Sequence, residues 1–581
     1  MIRYWKQLAA LAVLAMAPTA LAGAVPERTL AAPGALTVTL SPEAPDAQGN
    51  IPYVDVRVTA DSITAAKSQA FLRLALVSSN VNSVADELDG FHVSDAKGPL
   101  ALSTHDDTGT GLEVYRHWSA DRAVEGPVTI QYRAPITNKL NARGAAPPFE
   151  LRTEDGGFSG DGGIFLVLPE STDLYRIRIA WNFSAIGPNA VGLSSMGTGD
   201  VTLAAPSHAD VLADTYFMGG NIHRYPDVFP AHGFLSVWQG EPQFDTRALM
   251  QWTQTLYGYY TKFFQQTDAP PYAVFLRRNP VNAGGGVEVG RSFVGTFDQN
   301  TKAKDLKLTL AHEMVHTFVG GLGDSESLDA SWYSEGLAVY YQRLLPLRVG
   351  AISPADYVAD VNVTAGRYYT DLLNDTPNDQ IAAKFWADTR IRVLPYDRGS
   401  LYFAQLNSEI RKASLGERSL DQLVQTMIDR KRAGQSPDLA EWVSLLQDAL
   451  GARGKQEFDD MMAGKLILPP SDAFGPCFAR TTAPLRRYEL GFDTTVLAEP
   501  SRIVRGLVEG SAAERAGLRN GDHIVKPVPQ DAIQADQHAT LALLIARDGK
   551  EFPITYLPRG ETVRAYQWRR VPGVPDAQCR L

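Results

Sequence analysis

The sequence predicts a multidomain α+β protein with a β-rich N-terminal part, a mainly helical middle and a small mixed C-terminal module. Alternating apolar and polar residues, which are typical of strands, recur through residues 35–205. Apolar residues at helical spacing dominate from Asp245 to about residue 466, and short runs with glycine turns follow from Pro484. At 581 residues the chain is too long for one hydrophobic core, so we expect several domains.

Residues 1–22 have the pattern of a secretory signal peptide. Arg3 and Lys6 supply positive charge, Leu8–Ala17 form an apolar run, and Ala20-Leu-Ala22 offers a small-residue cleavage site. The apolar run is too short to span a membrane comfortably, so we do not expect a stable membrane anchor. We predict export, with a periplasmic or extracellular mature chain that begins near Gly23.

Residues 23–205 are predicted to form an N-terminal β-sandwich-like domain. Its period-two runs are Tyr53-Val-Asp-Val-Arg-Val58, Pro127-Val-Thr-Ile-Gln-Tyr132 and Tyr175-Arg-Ile-Arg-Ile-Ala-Trp181. Gly, Pro, Asn and Asp bound these runs, as expected for antiparallel sheets. Residues 137–163 are rich in glycine, proline and charge and predict a long loop. We find no catalytic pattern in this domain.

Residues 206–470 form the second predicted domain. Helical spacing of apolar residues predicts a helix from Asp245 to about Gln266. A short buried strand, Tyr272-Ala-Val-Phe-Leu276, follows, and a second strand ends near Phe297. Helices are expected to fill the rest of this domain.

Gly284, Gly285 and Gly286 lie between these two strands and allow two interpretations. They carry no P-loop lysine and precede no phosphate-binding helix, which argues against a nucleotide site. The run is either a flexible hairpin connection or an edge strand beside an active-site cleft, where glycines let a substrate backbone approach closely.

The segment Leu310-Ala-His-Glu-Met-Val-His-Thr-Phe318 carries the main chemical signal. On a helix, His312 and His316 lie four residues apart and share one face. Two imidazoles so placed can hold one Zn²⁺, with Glu313 beside them as a general base. The alternative is a surface helix with two ordinary histidines.

Glu335 is the candidate third ligand. It lies in Ser331-Trp-Tyr-Ser-Glu-Gly-Leu-Ala-Val-Tyr-Tyr341, a segment otherwise rich in aromatic and aliphatic residues. Gly320 can end the preceding helix, so that the next helix returns toward the histidines. Burial of an unpaired carboxylate there is costly, and a metal ion would offset that cost. The alternative is an exposed acid in the first helical turn, which the helix dipole favours.

His-Glu-x-x-His followed by Glu within Trp-Tyr-Ser-Glu-Gly resembles the gluzincin metallopeptidases, in particular the aminopeptidase N superfamily and its glycyl aminopeptidase relatives. The resemblance implies a thermolysin-like catalytic domain over residues 206–470. It also implies one Zn²⁺ on His312, His316 and Glu335, Glu313 as the catalytic base, and peptide substrates.

Two further motifs extend this resemblance. Gly285-Gly-Val-Glu288 resembles a Gly-x-x-Glu element in which the glutamate grips the free α-amine of the substrate, although Val289 replaces the usual Asn or His. Val393-Leu-Pro-Tyr-Asp-Arg-Gly399 resembles a Tyr-Glu-Lys-Gly element whose tyrosine donates a hydrogen bond to the oxyanion. Tyr396 matches that tyrosine, and the alternative for it is a packed loop aromatic.

The module over residues 484–575 resembles a PDZ domain. Tyr488-Glu-Leu-Gly-Phe492 matches the carboxylate-binding loop, and Gly510-Ser-Ala-Ala-Glu-Arg-Ala-Gly-Leu-Arg-Asn-Gly-Asp-His-Ile-Val525 matches a second signature. The resemblance implies that a C-terminal peptide ligand could bind by strand addition. The alternative is a structural appendage whose groove its own chain fills.

The net charge of −10 argues against nucleic acid and anionic membranes as partners. The chain has two cysteines, Cys477 and Cys579, which could form a disulfide in an oxidising compartment.

Our leading hypothesis is an exported zinc aminopeptidase that removes N-terminal residues, with a glycine or alanine preference implied by the resemblance. A zinc endopeptidase is one alternative, since Val289 departs from the pattern of the relatives. The other is a non-catalytic PDZ-bearing protein that binds peptides on a metallopeptidase scaffold.

Overall fold

The structure is a computed structural model. It describes residues 33–108, 114–139, 146–230, 232–266, 272–279, 283–323, 328–499, 501–526, 528 and 530–580. These residues form two compact units. The first comprises the described parts of Met1–Ala142, Pro147–His223 and Val237–Gly240, and the second comprises those of Arg143–Ala146, Arg224–Ser236 and Glu241–Leu581. The predicted signal peptide lies outside the described residues, and the predicted domain boundaries stay predictions.

The described N-terminal part is built of strands, one short α-helix and one 3₁₀ helix, Ala209–Leu212. Its elements are β1 (Gly34–Pro42), β2 (Tyr53–Ala60), β3 (Ala70–Ser78), β4 (Val81–Asn82), β5 (Asp89–Asp95), β6 (Gly98–Pro99), β7 (Leu102–Asp106), β8 (Val114–Ala120), β9 (Val128–Pro135), β10 (Arg152–Glu154), β11 (Gly157–Asp161), α1 (Gly162–Phe165), β12 (Leu168–Pro169), β13 (Tyr175–Trp181), β14 (Val191–Ser194), β15 (Gly197–Thr198), β16 (Val201–Thr202) and β17 (Tyr216–Gly220).

These strands form three sheets. One has the order β16-β13-β1-β2-β9-β5-β6, the second β12-β3-β8-β7 with β4 on β3, and the third β10-β11-β17-β14-β15. Residues that alternate along β2 are buried, as the period-two pattern predicts. Val38 and Ile130 of the first sheet share one hydrophobic core with Leu74 and Trp118 of the second. The prediction of a β-rich N-terminal domain is therefore confirmed.

The prediction of a long loop over residues 137–163 is wrong. Strands β10 and β11 pair within it, and β11 also pairs with β17. Two of its described glycines are packing positions: a Cβ on Gly157 would lie 2.6 Å from Ile222, and one on Gly160 would lie 2.7 Å from Leu151. Glycine in a strand can mark such a close approach, and composition alone does not distinguish this use from a loop.

From His223 onward the chain is mainly helical before it returns to strands. The elements are β18 (His223–Tyr225), β19 (Phe234–Trp238), α2 (Thr246–Phe263), β20 (Tyr272–Arg278), β21 (Gly286–Glu288), β22 (Ser292–Phe297), α3 (Ala303–Val319), α4 (Ser331–Val349), α5 (Pro354–Thr370), α6 (Ile381–Lys384), α7 (Thr389–Arg392), α8 (Leu394–Ala413), α9 (Leu420–Arg432), α10 (Leu439–Leu450), α11 (Ala452–Met462), β23 (Phe478–Tyr488), α12 (Ala512–Arg515), β24 (His523–Ile524), α13 (Gln530–Ala535), β25 (Leu541–Arg547), β26 (Lys550–Tyr556) and β27 (Arg559–Arg570).

The helices and strands predicted around the chemical motifs are present. The predicted first helix is α2, which Asp245 caps through a hydrogen bond from the Ala248 N–H. The predicted strands are β20 and β22, which pair in parallel, and β21 forms the edge of the sheet β18-β19-β20-β22-β21. Helix α3 ends at Gly320, whose φ of 64° suits glycine.

Helices α4 and α8 cross at two glycines. A Cβ on Gly336 would lie 2.8 Å from the Cα of Gly399, and a Cβ on Gly399 would lie 2.6 Å from the carbonyl oxygen of Trp332. The two backbones are therefore in direct contact. Since Glu335 adjoins Gly336 and Tyr396 lies one helical turn before Gly399, this crossing sets how closely those two side chains approach.

The C-terminal module packs on the helices. Strands β23 and β27 form an antiparallel ribbon against α5, and β24, β25 and β26 form a small sheet. Tyr488, Phe492 and Leu543 belong to the module's own core. Cys477 and Cys579 form a disulfide, as the sequence suggested. The segment after Phe492 is a 3₁₀ helix, Thr494–Ala498.

The module also contacts the segment that precedes Tyr396. Asp531 of α13 accepts hydrogen bonds from Thr389 and from Arg392, whose Nη2 lies 2.5 Å from Oδ1. Thr494 donates to Asp388 over 2.9 Å. The assignment of the module as a PDZ domain stays a prediction.

Among the described residues, no helix is both long and apolar enough to cross a bilayer.

Candidate metal centre

The three predicted metal ligands come together from two helices. His312 and His316 lie on one face of α3, and Glu335 lies one turn into α4, which packs against α3. His312 is 8% exposed and Glu335 is 4% exposed, so water screens these groups little. Among the described residues, these three side chains form a group that could hold a metal ion.

The donor atoms of this group face one another. Nε2 of His312 lies 3.1 Å from Oε2 of Glu335, and Nε2 of His316 lies 3.3 Å from the same oxygen. The two Nε2 atoms are 3.2 Å apart. Zinc bound tetrahedrally at about 2.0–2.1 Å from each donor separates the donors by about 3.3–3.4 Å. The three residues therefore fit a zinc ion without rearrangement.

The charges of this group favour a cation between the donors. Burial raises the pKa of the Glu335 carboxyl, but the charge of His316 and hydrogen bonds from both imidazoles hold it well below its usual range. Burial lowers the pKa of His316, but the charge of Glu335 and its hydrogen bond outweigh this effect and raise the pKa to about 9. Positive charge, whether proton or metal, is thus stabilised beside the carboxylate.

Glu313 and Glu288 are both near the ligands. Their negative charges raise the pKa of His316, although by less than Glu335 does. Burial raises the pKa of Tyr272 well above its usual value, and the negative charges of Glu313 and Glu288 raise it further. Glu313 is half-buried and follows His312 directly on α3. The structure therefore brings the predicted base and the predicted amine anchor close to His316.

Tyr396 lies beside His312. The two rings are nearly parallel, with centroids 6.0 Å apart and an interplanar angle of 18°. Tyr396 is half-buried in the first turn of α8 rather than in a loop. The next residue, Asp397, is buried and accepts two hydrogen bonds of 2.6 Å from Arg367, which fixes this turn.

The glycines before Glu288 have a packing role that the sequence did not indicate. A Cβ on Gly286 would lie 2.2 Å from the ring of Phe293 on β22, so that ring occupies the space beside the glycine. The carbonyl of Gly285 accepts hydrogen bonds from the backbone and hydroxyl of Thr296. Glu288 ends the edge strand β21, which contacts α3. The roles of Gly285, Gly286 and Glu288 in substrate binding stay predictions.

Sequence reasoning missed one contact of the candidate metal-binding group. Nδ1 of His312 lies 2.9 Å from Oε1 of Gln342 on α4. Gln342 follows Glu335 by two helical turns and so lies on the same face of α4. That spacing is a signal in the sequence, although it does not identify which histidine the amide contacts.

Comparison with known proteins gives a likeness in fold. No model of a known protein family matches the chain. No curated protein matches it either. Among solved structures, the chain is similar to an aminopeptidase N family protein from Idiomarina loihiensis, with 15% identity and a TM-score of 0.64 over 94% of this chain and 99% of that one.

Two other solved structures are less similar. An M1 zinc metallopeptidase from Deinococcus radiodurans has 16% identity and a TM-score of 0.41 over 75% of this chain and 94% of that one. Yeast LTA4 hydrolase has 15% identity and a TM-score of 0.42 over 75% and 69%. The Idiomarina protein shows that this chain has the same multidomain α+β fold, with a β-rich N-terminal part and a helical region after it.

Proposed function

We propose that this protein is a zinc-dependent aminopeptidase that hydrolyses peptides from the N-terminus. The observation that carries the proposal is the convergence of His312, His316 and Glu335 on one point, with Glu313 and Tyr396 beside them. Three protein ligands leave a position open for water or substrate, which is the arrangement of catalytic rather than structural zinc. The shared fold with an aminopeptidase N family protein supports the same reaction class.

The reaction divides among these side chains as follows. Bound zinc supplies Lewis acidity to the attacking water and to the scissile carbonyl group. Glu313 removes a proton from that water as its oxygen bonds to the carbonyl carbon, and later delivers the proton to the amine nitrogen as the C–N bond breaks. Tyr396 donates a hydrogen bond to the carbonyl oxygen as negative charge develops on it.

Glu288 distinguishes removal of single N-terminal residues from cleavage within a peptide. Its carboxylate ends an edge strand next to the ligand helix and acts on the charge of His316. A substrate ammonium group paired with Glu288 would place the first peptide bond, and no later one, at the metal centre. A preference for glycine or alanine is also proposed, and it rests only on the motif resemblance.

Export and peptide binding by the C-terminal module complete the proposal. The pattern of residues 1–22 and the Cys477–Cys579 disulfide both favour an oxidising compartment outside the cytoplasm. The module's sequence signatures favour a PDZ-like site for peptide C-termini. Anisotropy with a labelled peptide that has a free C-terminus, compared with its amidated form, tests that site, and equal binding of the two forms would contradict it.

A matched pair of peptides tests the aminopeptidase proposal. One begins with glycine and has a free amine, the other is its acetylated form, and each is incubated with zinc-loaded protein, with chelator, and with chelator followed by excess zinc. We expect release of N-terminal residues from the free peptide only, lost with chelator and restored by zinc. The Glu313→Gln variant is the control for a contaminating peptidase.

The other outcomes are equally informative. Cleavage of both peptides would show an endopeptidase and remove Glu288 from the anchoring role. Cleavage of neither by protein that holds zinc would overturn the proposed activity. Replacement of the first residue by alanine, leucine and lysine then measures the proposed preference.

A further inference from the structure

His312 makes a second polar contact through its other ring nitrogen. Nδ1 lies 2.9 Å from Oε1 of Gln342 on α4. Nε2 of the Gln342 amide lies 3.2 Å from Oδ2 of Asp360 on α5, and Nη1 of Arg343 lies 3.2 Å from that same oxygen. Arg343 is 2% exposed and also donates to Thr364. A continuous chain of polar contacts therefore leads from the metal-binding imidazole into the protein interior.

The direction of each hydrogen bond in this chain can be deduced from Asp360. An ionised carboxylate only accepts hydrogen bonds and a guanidinium only donates them, so Asp360 must face donors. Gln342 must therefore turn its NH₂ group toward Asp360 and its carbonyl oxygen toward His312. A carbonyl oxygen only accepts, so Nδ1 of His312 carries a hydrogen.

This assignment determines the other side of the imidazole. In a neutral ring with hydrogen on Nδ1, the lone pair lies on Nε2. Nε2 is the atom that faces Glu335 and His316. The contacts on α4 and α5 thus select the tautomer in which His312 can bind a cation at the metal centre.

We infer that Gln342 is a positioning residue for His312, and that Asp360 acts on the metal centre through Gln342. Helix α4 would then carry the metal ligand Glu335 and also Gln342, the residue that positions the ligand His312. This inference rests on the proposed zinc site, but it concerns affinity for the metal rather than turnover of a peptide.

Substitutions at Gln342 separate the acceptor from the bulk of the side chain. Gln342→Met keeps the length but removes the oxygen, so the Kd for zinc, measured by competition with a chromophoric chelator, should rise about 10–100-fold. Gln342→Glu keeps an oxygen toward His312, whether the new carboxyl group is ionised or carries a proton on the oxygen that faces Asp360. The Kd of this variant for zinc should therefore stay within about threefold of the wild-type value. The visible spectrum of Co²⁺-loaded protein should change for Gln342→Met and resemble wild type for Gln342→Glu.

A double-mutant cycle tests the role of Asp360. Asp360→Ala should weaken zinc binding in the wild-type background, because the amide of Gln342 is then free to turn. The same change should have no further effect in Gln342→Met, which has no amide to orient. Asp459→Asn removes a carboxylate from an exposed pair with Lys455 on α11 and should leave the Kd unchanged.

These results separate the roles of Gln342 and Asp360 from the proposed function. Equal zinc affinity of wild type and Gln342→Met, with both folded by circular dichroism, would overturn the role of Gln342. An undiminished effect of Asp360→Ala in Gln342→Met would remove Asp360 from this path. Wild-type protein that binds zinc tightly but hydrolyses no peptide overturns the proposed function alone, and wild-type protein that binds no zinc overturns both.

Discussion

His312 and His117 both lie beside carboxylates, the first in the helical unit and the second in the β-rich unit. At the metal centre, the Nε2 atoms of His312 and His316 are directed at the same oxygen of Glu335 and at each other. His117 instead places Nδ1 2.8 Å from Glu170 and Nε2 3.1 Å from Asp107. Its two partners lie at different ring nitrogens, so its contacts diverge.

The difference shows that the direction of the contacts, rather than the residue types, separates this candidate metal centre from a structural ion pair. Converging donors direct several lone pairs at one point, where a single bound cation can satisfy them together. Diverging contacts satisfy each ring nitrogen separately and favour a doubly protonated ring. In the β-rich unit, burial lowers the pKa of His117, but its hydrogen bonds to Glu170 and Asp107 outweigh this and raise it.

The largest expected effect is from removal of the shared oxygen. Glu335→Ala should lose zinc from purified protein and reduce peptide hydrolysis to the level seen with chelator, because no other carboxylate among the described residues groups with the two imidazoles. The matched variant Glu170→Ala removes a carboxylate from His117 and should keep full zinc content. Metal analysis measures the zinc content of both variants, and zinc loss from both would contradict this prediction.

Removal of the base should separate metal binding from chemistry. Glu313→Gln is expected to hold zinc as wild type does and to lower kcat about 10²–10⁴-fold, the usual contribution of general base catalysis. Steady-state kinetics with metal analysis check this expectation. A near-normal kcat would exclude Glu313 as the base.

Tyr396→Phe should have a smaller effect on the same step. The ring contact with His312 is kept, while the hydroxyl is lost, so kcat is expected to fall about 10²–10³-fold, as for loss of one oxyanion donor. KM should change less than kcat, because the hydrogen bond strengthens only as charge develops. A rise in KM with normal kcat would assign Tyr396 to substrate binding instead.

The smallest effect should come from the diverging cluster, and it should depend on pH. Because folding raises the pKa of His117, its contribution to the free energy of unfolding is fully present below the unfolded-state pKa of about 6.5 and is lost as pH rises through the folded-state value. His117→Gln should therefore cost about 1 kcal/mol at pH 5.5, as for a partly exposed ion pair, and less at pH 9. Urea unfolding at both pH values measures this cost, and a larger cost at pH 9 than at pH 5.5 would contradict the predicted pH dependence.

The sequence was sufficient to predict the parts of the site that depend on local spacing. His312 and His316 share a face because a helix repeats every 3.6 residues, and Glu335 could be identified as an unusual acid in an apolar segment. Strands such as β2 and β13 followed from alternation. These predictions needed no knowledge of which elements touch.

The features that the sequence did not predict depend on contacts between distant elements. Gln342 can be assigned to His312 only once α4 lies against α3, and Asp360 only once α5 packs against α4. The strands within residues 137–163 were hidden because their glycines, including Gly160, serve packing against large neighbours. Gly286 likewise makes room for Phe293, a partner that β22 supplies.

The contact between the C-terminal module and the segment before Tyr396 has a consequence for the effect of ionic strength. The module is closed on itself covalently by Cys477–Cys579, whereas an ion pair between Asp531 and Arg392 and neighbouring hydrogen bonds join it to that segment. Asp531 is half exposed, so added salt screens this pair while the disulfide is unaffected. Moderate salt should therefore lower kcat by loosening the turn that carries Tyr396, without unfolding either the module or the metal-binding helices.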